Sequence, residues 1–152
     1  MRTLLAAEDR RSIADRIAKL TPDDRRRWGK MKVEEMVCHL IDSYAFALSE
    51  KDAGEAPRGP TRRKIEKWVA LKCPIEWPKG IRTRPEIEQG VGGTPPTEFE
   101  KDRAGLLAIF GRFCETPPKA DCPHPTFGVL TPEEWMRWGW LHADHHLRQF
   151  GR

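Results

Sequence analysis

The sequence predicts an all-α fold. Apolar residues recur at helical spacing in four or five stretches, and no stretch alternates apolar and polar residues as a half-buried strand does. Loops that contain Pro and Gly separate these stretches. The 152 residues are about one domain in length and are enough to bury a core without disulfides or metal. We therefore expect one all-α domain spanning residues 1–152.

The first two helices are predicted from their apolar spacing. Ile13, Ile17 and Leu20 predict a helix from about Glu8 to Leu20, which ends at Thr21-Pro22. A second helix is predicted from about Val33 to Ser49. Its core-facing stripe consists of Val37, Ile41, Tyr44 and Leu48.

A third, short helix is predicted from about Arg62 to Lys72, and its single tryptophan, Trp68, is interpreted as a core residue. The following segment, Cys73 to Pro96, holds five prolines and four glycines and predicts a long irregular loop over the surface. Long loops of this kind often cover functional sites.

Two capping boxes predict the starts of the last two helices. Thr97-Glu98-Phe99-Glu100 has the form of a capping box and opens a fourth helix that ends near Cys114. Thr131-Pro132-Glu133-Glu134 has the same form, with proline at the first helical position, and opens the last helix.

The last helix carries three of the five histidines, at His142, His145 and His146. His142 and His146 are one turn apart on the same face, which is the spacing that lets two imidazoles reach one metal ion. A third ligand is needed, and either His39 in the second helix or His124 in the preceding loop could supply it. His145 lies about 60° round the helix from His142, so it should point beside the site.

A helical projection places His39 on the polar side of the second helix. If the second and last helices are neighbours, His39 faces the histidine pair and completes a site of three nitrogens, open to water on one side, as in catalytic rather than structural metal centres. Four polar residues are candidates for orienting the imidazoles: Glu35, Asp42, Ser43 and Gln149.

The alternative interpretation is structural. Histidines at i and i+4 are common on helices, and each could be a hydrogen-bonded core or surface residue; Trp135 and Trp138 would then be core as well. The four cysteines include no C-x-x-C pair, so they predict neither a disulfide framework nor a thiolate zinc site.

The formal charge of +4 is modest and is concentrated in Arg25–Arg27 and in the stretch from Arg58 to Lys72. Such stretches can contact nucleic acid or attract an anionic substrate, but no helix-turn-helix or zinc-finger pattern is present, so we expect no nucleic-acid partner. No run approaches the roughly 18 apolar residues of a membrane span, and the N-terminal apolar run is too short for a signal peptide. We therefore expect a cytoplasmic protein without a membrane partner.

Several motifs together resemble the DinB-like four-helix metalloprotein superfamily, most closely a branch without an assigned function. They lie in the expected order along essentially the whole chain. The motifs are Trp28-Gly29-Lys30-Met31, Met36-Val37-Cys38-His39-Leu40, His124-Pro125-Thr126-Phe127-Gly128, and the stretch from Trp135 through His142-Ala143-Asp144-His145-His146-Leu147-Arg148-Gln149-Phe150.

The resemblance implies an up-down-down-up four-helix bundle, often a homodimer, with a divalent metal held by His39, His142 and His146. His145 matches the middle histidine of the family's H-x-x-H-H signature, which is not usually a principal ligand. Better-understood members use the metal to activate a low-molecular-weight thiol for transfer or isomerisation. Fold analogy alone does not assign this reaction to the chain.

Two classes of function follow from these observations. The leading hypothesis is a metal-dependent enzyme, either a thiol-dependent transferase or a hydrolase, with Zn²⁺ or Ni²⁺ at the three histidines. The alternative is a non-catalytic protein that binds metal, or one that binds nucleic acid in a stress response. The sequence leaves the substrate open, and it leaves open whether His124 or His145 joins the site.

Overall fold

The prediction of an all-α fold is confirmed. The structure, a computed structural model, describes residues 1–52, 60–73, 75–80, 83–116, 118 and 123–152, with side chains described from Arg63 onward in the third helix. This part of the chain contains five α-helices and no strand. They are α1 (Ala7–Ala18), α2 (Val33–Ala47), α3 (Pro60–Lys72), α4 (Phe99–Glu115) and α5 (Pro132–Gln149).

Four of the helices contact one another in a ring. α2 packs most extensively on α4, α4 packs on α1, α1 on α5, and α5 on α2. The buried side chains between them form the core, because each helix turns its apolar stripe inward. Large core residues include Ile13, Ile17, Tyr44, Leu106, Phe113, Trp135 and Leu147.

Gly139 lets α5 approach its neighbours closely. A Cβ at this position would lie 2.5 Å from Cε1 of Phe113 and 2.9 Å from Cδ1 of Leu4, so no larger residue fits without displacement. The Gly139 carbonyl also accepts a hydrogen bond from the buried Tyr44 hydroxyl at 3.0 Å. These contacts help to set the rotation of α5, and with it the direction of His142 one turn later.

One of the two predicted capping boxes is confirmed and the other is wrong. At α5, the Thr131 hydroxyl accepts from the Glu134 N–H and the Glu134 carboxylate accepts from the Thr131 N–H. At α4, the Thr97 N–H and hydroxyl both donate to Asp102, each at 2.7 Å, and the N-cap residue is Glu98. The single carboxylate of Asp102 satisfies both donors.

The interpretation of Trp68 as a core residue is wrong. Its side chain is 62% exposed and that of Ile65 is 60% exposed, whereas Leu71 is fully buried. The physical reason is that α3 lies outside the ring and packs on α5. Helical periodicity shows that a helix has an apolar face but does not show that another element covers it.

The predicted long loop is mostly irregular where it is described, but it contains a short 3₁₀ helix, Pro85–Ile87. Asp42 of α2 anchors the segment that follows. Its buried carboxylate accepts hydrogen bonds from the Thr94 N–H at 2.7 Å, the Thr94 hydroxyl at 2.6 Å and the Gln89 amide at 3.3 Å. These bonds hold the loop against α2.

Other sequence-based expectations fall partly outside the described residues. Cys38, Cys73 and Cys114 are free thiols, and Cys122 lies outside the described part. The basic stretch is described only from its helical portion onward, so Arg58 also lies outside. None of the described helices is both long enough and apolar enough to span a bilayer.

Candidate metal centre

Three histidines from two helices converge at the contact between α2 and α5. His39, His142 and His146 each present one ring nitrogen, and these three nitrogens lie within 4.8 Å of one another. Nε2 of His39 and Nε2 of His142 are 3.3 Å apart. Two nitrogens bound tetrahedrally to one zinc ion at about 2.05 Å would be separated by about 3.3 Å. The group could therefore hold a metal ion.

Hydrogen bonds at Nδ1 orient His39 and His146 so that Nε2 of each ring faces the histidine group. Nδ1 of His39 lies 3.1 Å from the carbonyl oxygen of Ile87, which can only accept, so Nδ1 carries the proton. Nδ1 of His146 lies 3.2 Å from Oε1 of Gln149, whose amide nitrogen donates to the Trp28 carbonyl at 2.8 Å. In both imidazoles Nε2 is left with a free lone pair, as in metal sites whose ligands are oriented by an outer hydrogen bond.

His142 is the one member of the group whose Nδ1 is buried without a hydrogen-bond partner among the described residues. Because His39 Nε2 is an acceptor, the metal-free protein can satisfy it with an Nε2–H donated by His142. Metal coordination requires the other tautomer, with the proton on Nδ1 of His142. His39 and His142 can thus form a hydrogen bond to each other without metal, or both bind an ion, with little change in the positions of their rings.

Burial keeps the three imidazoles neutral. It is the largest cause lowering the pKa of His39, His142 and His146, and the neighbouring imidazoles lower the pKa values of His142 and His146 further. Protonation would place like charges together in a medium of low dielectric. Since a metal ion binds the neutral imidazole, these lowered pKa values favour coordination at neutral pH.

The site is more enclosed than the sequence predicted. His39 is 3% exposed and His146 is 7% exposed, while His142 is partly buried. Trp138 stacks on His142 with ring centroids 5.0 Å apart, and Trp77 of the long loop lies 6.1 Å from the same ring. These indoles limit the access of water to the three nitrogens.

His145 lies beside the group, in the direction that the helical projection predicted. Its ring centroid is 6.1 Å from that of Trp28, 6.1 Å from that of Trp77 and 5.3 Å from that of His146. Nδ1 of His145 is buried without a hydrogen-bond partner among the described residues. The side chain therefore forms part of the wall around the three nitrogens.

His124 is also buried but belongs to a different environment. Its Nδ1 accepts hydrogen bonds from the backbone N–H groups of Thr126 at 3.1 Å and Phe127 at 3.2 Å. The ring stacks on Phe127 at 4.6 Å and lies near Trp135 and Trp138. Burial, aided by the positive charge of Arg84, lowers the pKa of His124 to about 3. This imidazole closes a turn.

Among the four polar residues predicted to orient the imidazoles, only Gln149 contacts one through its side chain within the described structure. Asp42 anchors the loop, and the Ser43 hydroxyl donates to the His39 carbonyl at 2.7 Å. Glu35 caps α2 by accepting from the Lys32 N–H at 2.7 Å. Each of these three has another hydrogen-bonding role.

Sequence reasoning missed two contributors to the site. The Ile87 carbonyl that orients His39 is a backbone atom in the long loop, and no residue type marks such a contact. Gly29 has a φ of 80°, and a Cβ there would collide with the side-chain amide of Gln149. The glycine after Trp28 was the one signal of this contact in the sequence, since a glycine leaves room for another side chain to approach the backbone closely.

Comparison with known proteins relates only the C-terminal part of the chain to a family. A family model described as "Protein of unknown function (DUF1569)" matches residues 114–152, about a quarter of the chain. No curated protein and no solved structure gives a significant match. The matched part contains His142, His146 and Gln149 but not His39.

Proposed function

We propose that this chain is a divalent-metal-dependent enzyme whose ion is held by His39, His142 and His146. The observation that supports this best is the 3.3 Å approach of two Nε2 atoms, one of which belongs to an imidazole whose Nδ1 is committed to a carbonyl. Structural histidines usually direct hydrogen bonds at separate partners. Here three imidazole nitrogens lie within 4.8 Å of one another.

Zn²⁺ and Ni²⁺ are the metals proposed, because three neutral imidazoles suit either ion. Three protein ligands leave at least one coordination position for a substrate or a solvent molecule. A bound ion supplies a Lewis acid that makes a thiol or water more nucleophilic at neutral pH. We therefore propose a thiol-dependent transferase or a hydrolase as the reaction class.

The chain's own residues would hold the geometry and exclude water. Gln149 and the Ile87 carbonyl fix two imidazole orientations. Trp138 stacks on His142 and Trp77 lies beside it, and both lower the local dielectric, which strengthens electrostatic interactions at the site.

We also propose that the four helices in ring contact form the up-down-down-up bundle of the DinB-like superfamily. The pairing of the second and last helices around the histidines supports this arrangement. The resemblance further leads us to propose a homodimer, which light scattering on the purified protein would test.

Metal content is the first test. Purified wild type, His39→Ala, His142→Ala and the control His145→Ala would be exposed to Zn²⁺ or Ni²⁺, dialysed, and examined by elemental analysis. We expect about one ion per chain in wild type and in His145→Ala, and none in the other two. Metal retained equally in all four proteins would contradict the site.

Catalysis needs a separate test. The metal-loaded wild type and His39→Ala would be assayed for transfer of small thiols to electrophiles and for hydrolysis of activated esters. Turnover that disappears with chelation and with His39→Ala supports the enzyme. Tight metal binding without turnover in either assay would favour the non-catalytic alternative.

A further inference from the structure

A cluster of positively charged side chains lies next to the histidine group. It borders a cavity of about 280 Å³ between the segment before α2 and the C-terminal end of α5. The side chains used in this argument are Arg27, Trp28, Glu76, Lys79 and Arg148. The volume lies just below the usual range of about 300–1,000 Å³ for ligand sites, so it suits a small group.

Two of the cations in this cavity have no carboxylate partner. Arg148 forms ion pairs with Glu76 at 2.7 Å and with Asp144 at 2.9 Å. Arg27 and Lys79 form no ion pair in the part of the chain that the structure describes. The cavity therefore carries an excess of positive charge that could attract an anion.

Local contacts hold both unpaired cations at the cavity. The Arg27 N–H donates to the Gln149 carbonyl at 2.7 Å. Its guanidinium lies against Gly151, where a Cβ would collide with it. Nζ of Lys79 lies 4.6 Å from the centroid of the Trp28 ring, within the range of a cation–π contact. Both side chains are exposed to solvent, and these contacts place them at the edge of the cavity.

The cavity and the histidine group share a wall. The Trp28 ring contacts both Lys79 and His145. Its carbonyl accepts a hydrogen bond from the side-chain amide of Gln149, which orients His146. A ligand anchored at Arg27 and Lys79 would therefore be separated from His146 by the side chains of Trp28 and His145.

We propose that this cavity binds the anionic end of the small substrate or thiol co-substrate that reacts at the histidine group. The ligand class is an organic anion with a carboxylate or phosphoryl group, since guanidinium and ammonium groups bind both. The inference rests on the proposed function for its role in a reaction, but anion binding itself requires no metal.

The test titrates the zinc-loaded 152-residue chain at low ionic strength with butyrate, with its uncharged isostere butyramide, and with methylphosphonate. The reporter is the indole N–H resonance of Trp28, identified by its loss in Trp28→Phe. The variants Arg27→Gln and Lys79→Gln each remove one cation, and Lys101→Gln removes one from the exposed surface of α4 as the matched control. Thermal melting checks that each variant folds.

We expect butyrate to shift the Trp28 resonance and butyramide not to do so. Arg27→Gln and Lys79→Gln should each weaken butyrate binding about tenfold, while Lys101→Gln should not change it. Methylphosphonate that binds more tightly than butyrate, with the same dependence on Arg27 and Lys79, would support the anion site and identify its ligand as phosphoryl. Equal shifts with butyramide, or unchanged affinity in both cavity variants, would overturn the inference.

Zinc content of the same proteins separates this inference from the proposed function. Wild type that retains zinc but binds no anion contradicts the cavity alone. His39→Ala that lacks zinc but still binds butyrate shows that the anion is held by the cavity and not by the metal. Wild type that binds butyrate through Arg27 and Lys79 but retains no zinc leaves the cavity as an anion site and contradicts the metal centre.

Discussion

His124 and the group formed by His39, His142 and His146 are alike in most respects but differ in their hydrogen bonds. All four imidazoles have pKa values lowered chiefly by burial, and Trp138 contacts both His124 and His142. His124, however, uses its Nδ1 lone pair to accept two backbone N–H groups. In the group, Nε2 of His39 lies 3.3 Å from Nε2 of His142 and contacts no backbone donor among the described residues.

Burial and a lowered pKa therefore do not distinguish a structural histidine from a candidate ligand. What distinguishes them is which nitrogen lone pair remains available after the fixed hydrogen bonds are assigned. For His39 and His146 the assignment leaves Nε2 free, and for His124 it uses Nδ1 at the turn that it closes.

The largest expected difference between the two environments is in stabilisation by zinc. Wild type and His124→Asn should both gain about 4 kcal/mol of unfolding free energy at a free zinc concentration about 1,000 times Kd, because the native state alone binds the ion. His146→Ala should gain far less. Urea unfolding at fixed free zinc measures the effect, and an equal gain in His146→Ala would remove the distinction.

In the metal-free protein, His124 should contribute more to the free energy of unfolding than His142. His124→Ala leaves two backbone N–H groups without their acceptor and a space beside Trp135, so we expect a loss of about 3 kcal/mol. His142→Ala should cost less, because its Nδ1 has no partner and its side chain is partly exposed. Urea unfolding in the presence of a chelator compares the two; a larger loss in His142→Ala would contradict this assignment.

A smaller effect is expected from the hydrogen bond that orients His146. Gln149→Met removes the acceptor of the Nδ1–H at similar side-chain length, and we expect zinc affinity to fall by about 10–100-fold. Lys101→Met is the matched control, since it introduces the same methionine on the exposed surface of α4, away from every imidazole. Competition with a coloured zinc chelator gives both affinities. Similar values for the two variants would show that orientation of His146 does not matter.

The smallest effect, counted per pH unit, is the pH dependence of stability contributed by His124. In the unfolded chain this histidine gains a proton near pH 6.5, whereas the folded protein keeps it neutral down to about pH 3. Between these values the unfolded state binds more protons, so its contribution to stability is lost as the pH falls, by about 1.4 kcal/mol per pH unit.

Urea unfolding of metal-free wild type and His124→Asn at pH 6.5, 5.5 and 4.5 measures this contribution. The other histidines also have lowered pKa values, so wild type should lose stability steeply on acidification. Per pH unit, His124→Asn should lose about 1.4 kcal/mol less unfolding free energy than wild type, because it lacks one titrating imidazole. Identical slopes would show that His124 is protonated in the folded state.

The sequence predicted the helices because their apolar stripes and the Thr131 capping box depend only on residues close together in the chain. α1 and α2 lie within two residues of the predicted bounds at each end, and the Thr131 box starts α5 as expected. Whether an apolar helix face is buried depends on the rest of the chain, which is why Trp68 was wrongly assigned to the core. Thr97 was misassigned because the carboxylate of Asp102, two residues beyond Glu100, accepts from both its N–H and its hydroxyl.

The convergence of the histidines was predictable in part. Spacing placed His142 and His146 on one face, but the choice of His39 over His124 needed either the family resemblance or the helix contacts. The Ile87 carbonyl and the cavity at Arg27 and Lys79 join segments far apart in the chain. Such contacts have no local signature, so the sequence did not reveal them.

The anchoring of the long loop by Asp42 has a kinetic consequence. The same segment that Thr94 and Gln89 fasten to α2 places the Ile87 carbonyl on His39. An ion that enters or leaves past His39 would have to wait for this segment to open locally. Exchange would then be governed by an opening rate, and Asp42→Asn, assayed by stopped-flow transfer of zinc to a chelator, should hasten release more than it weakens equilibrium binding.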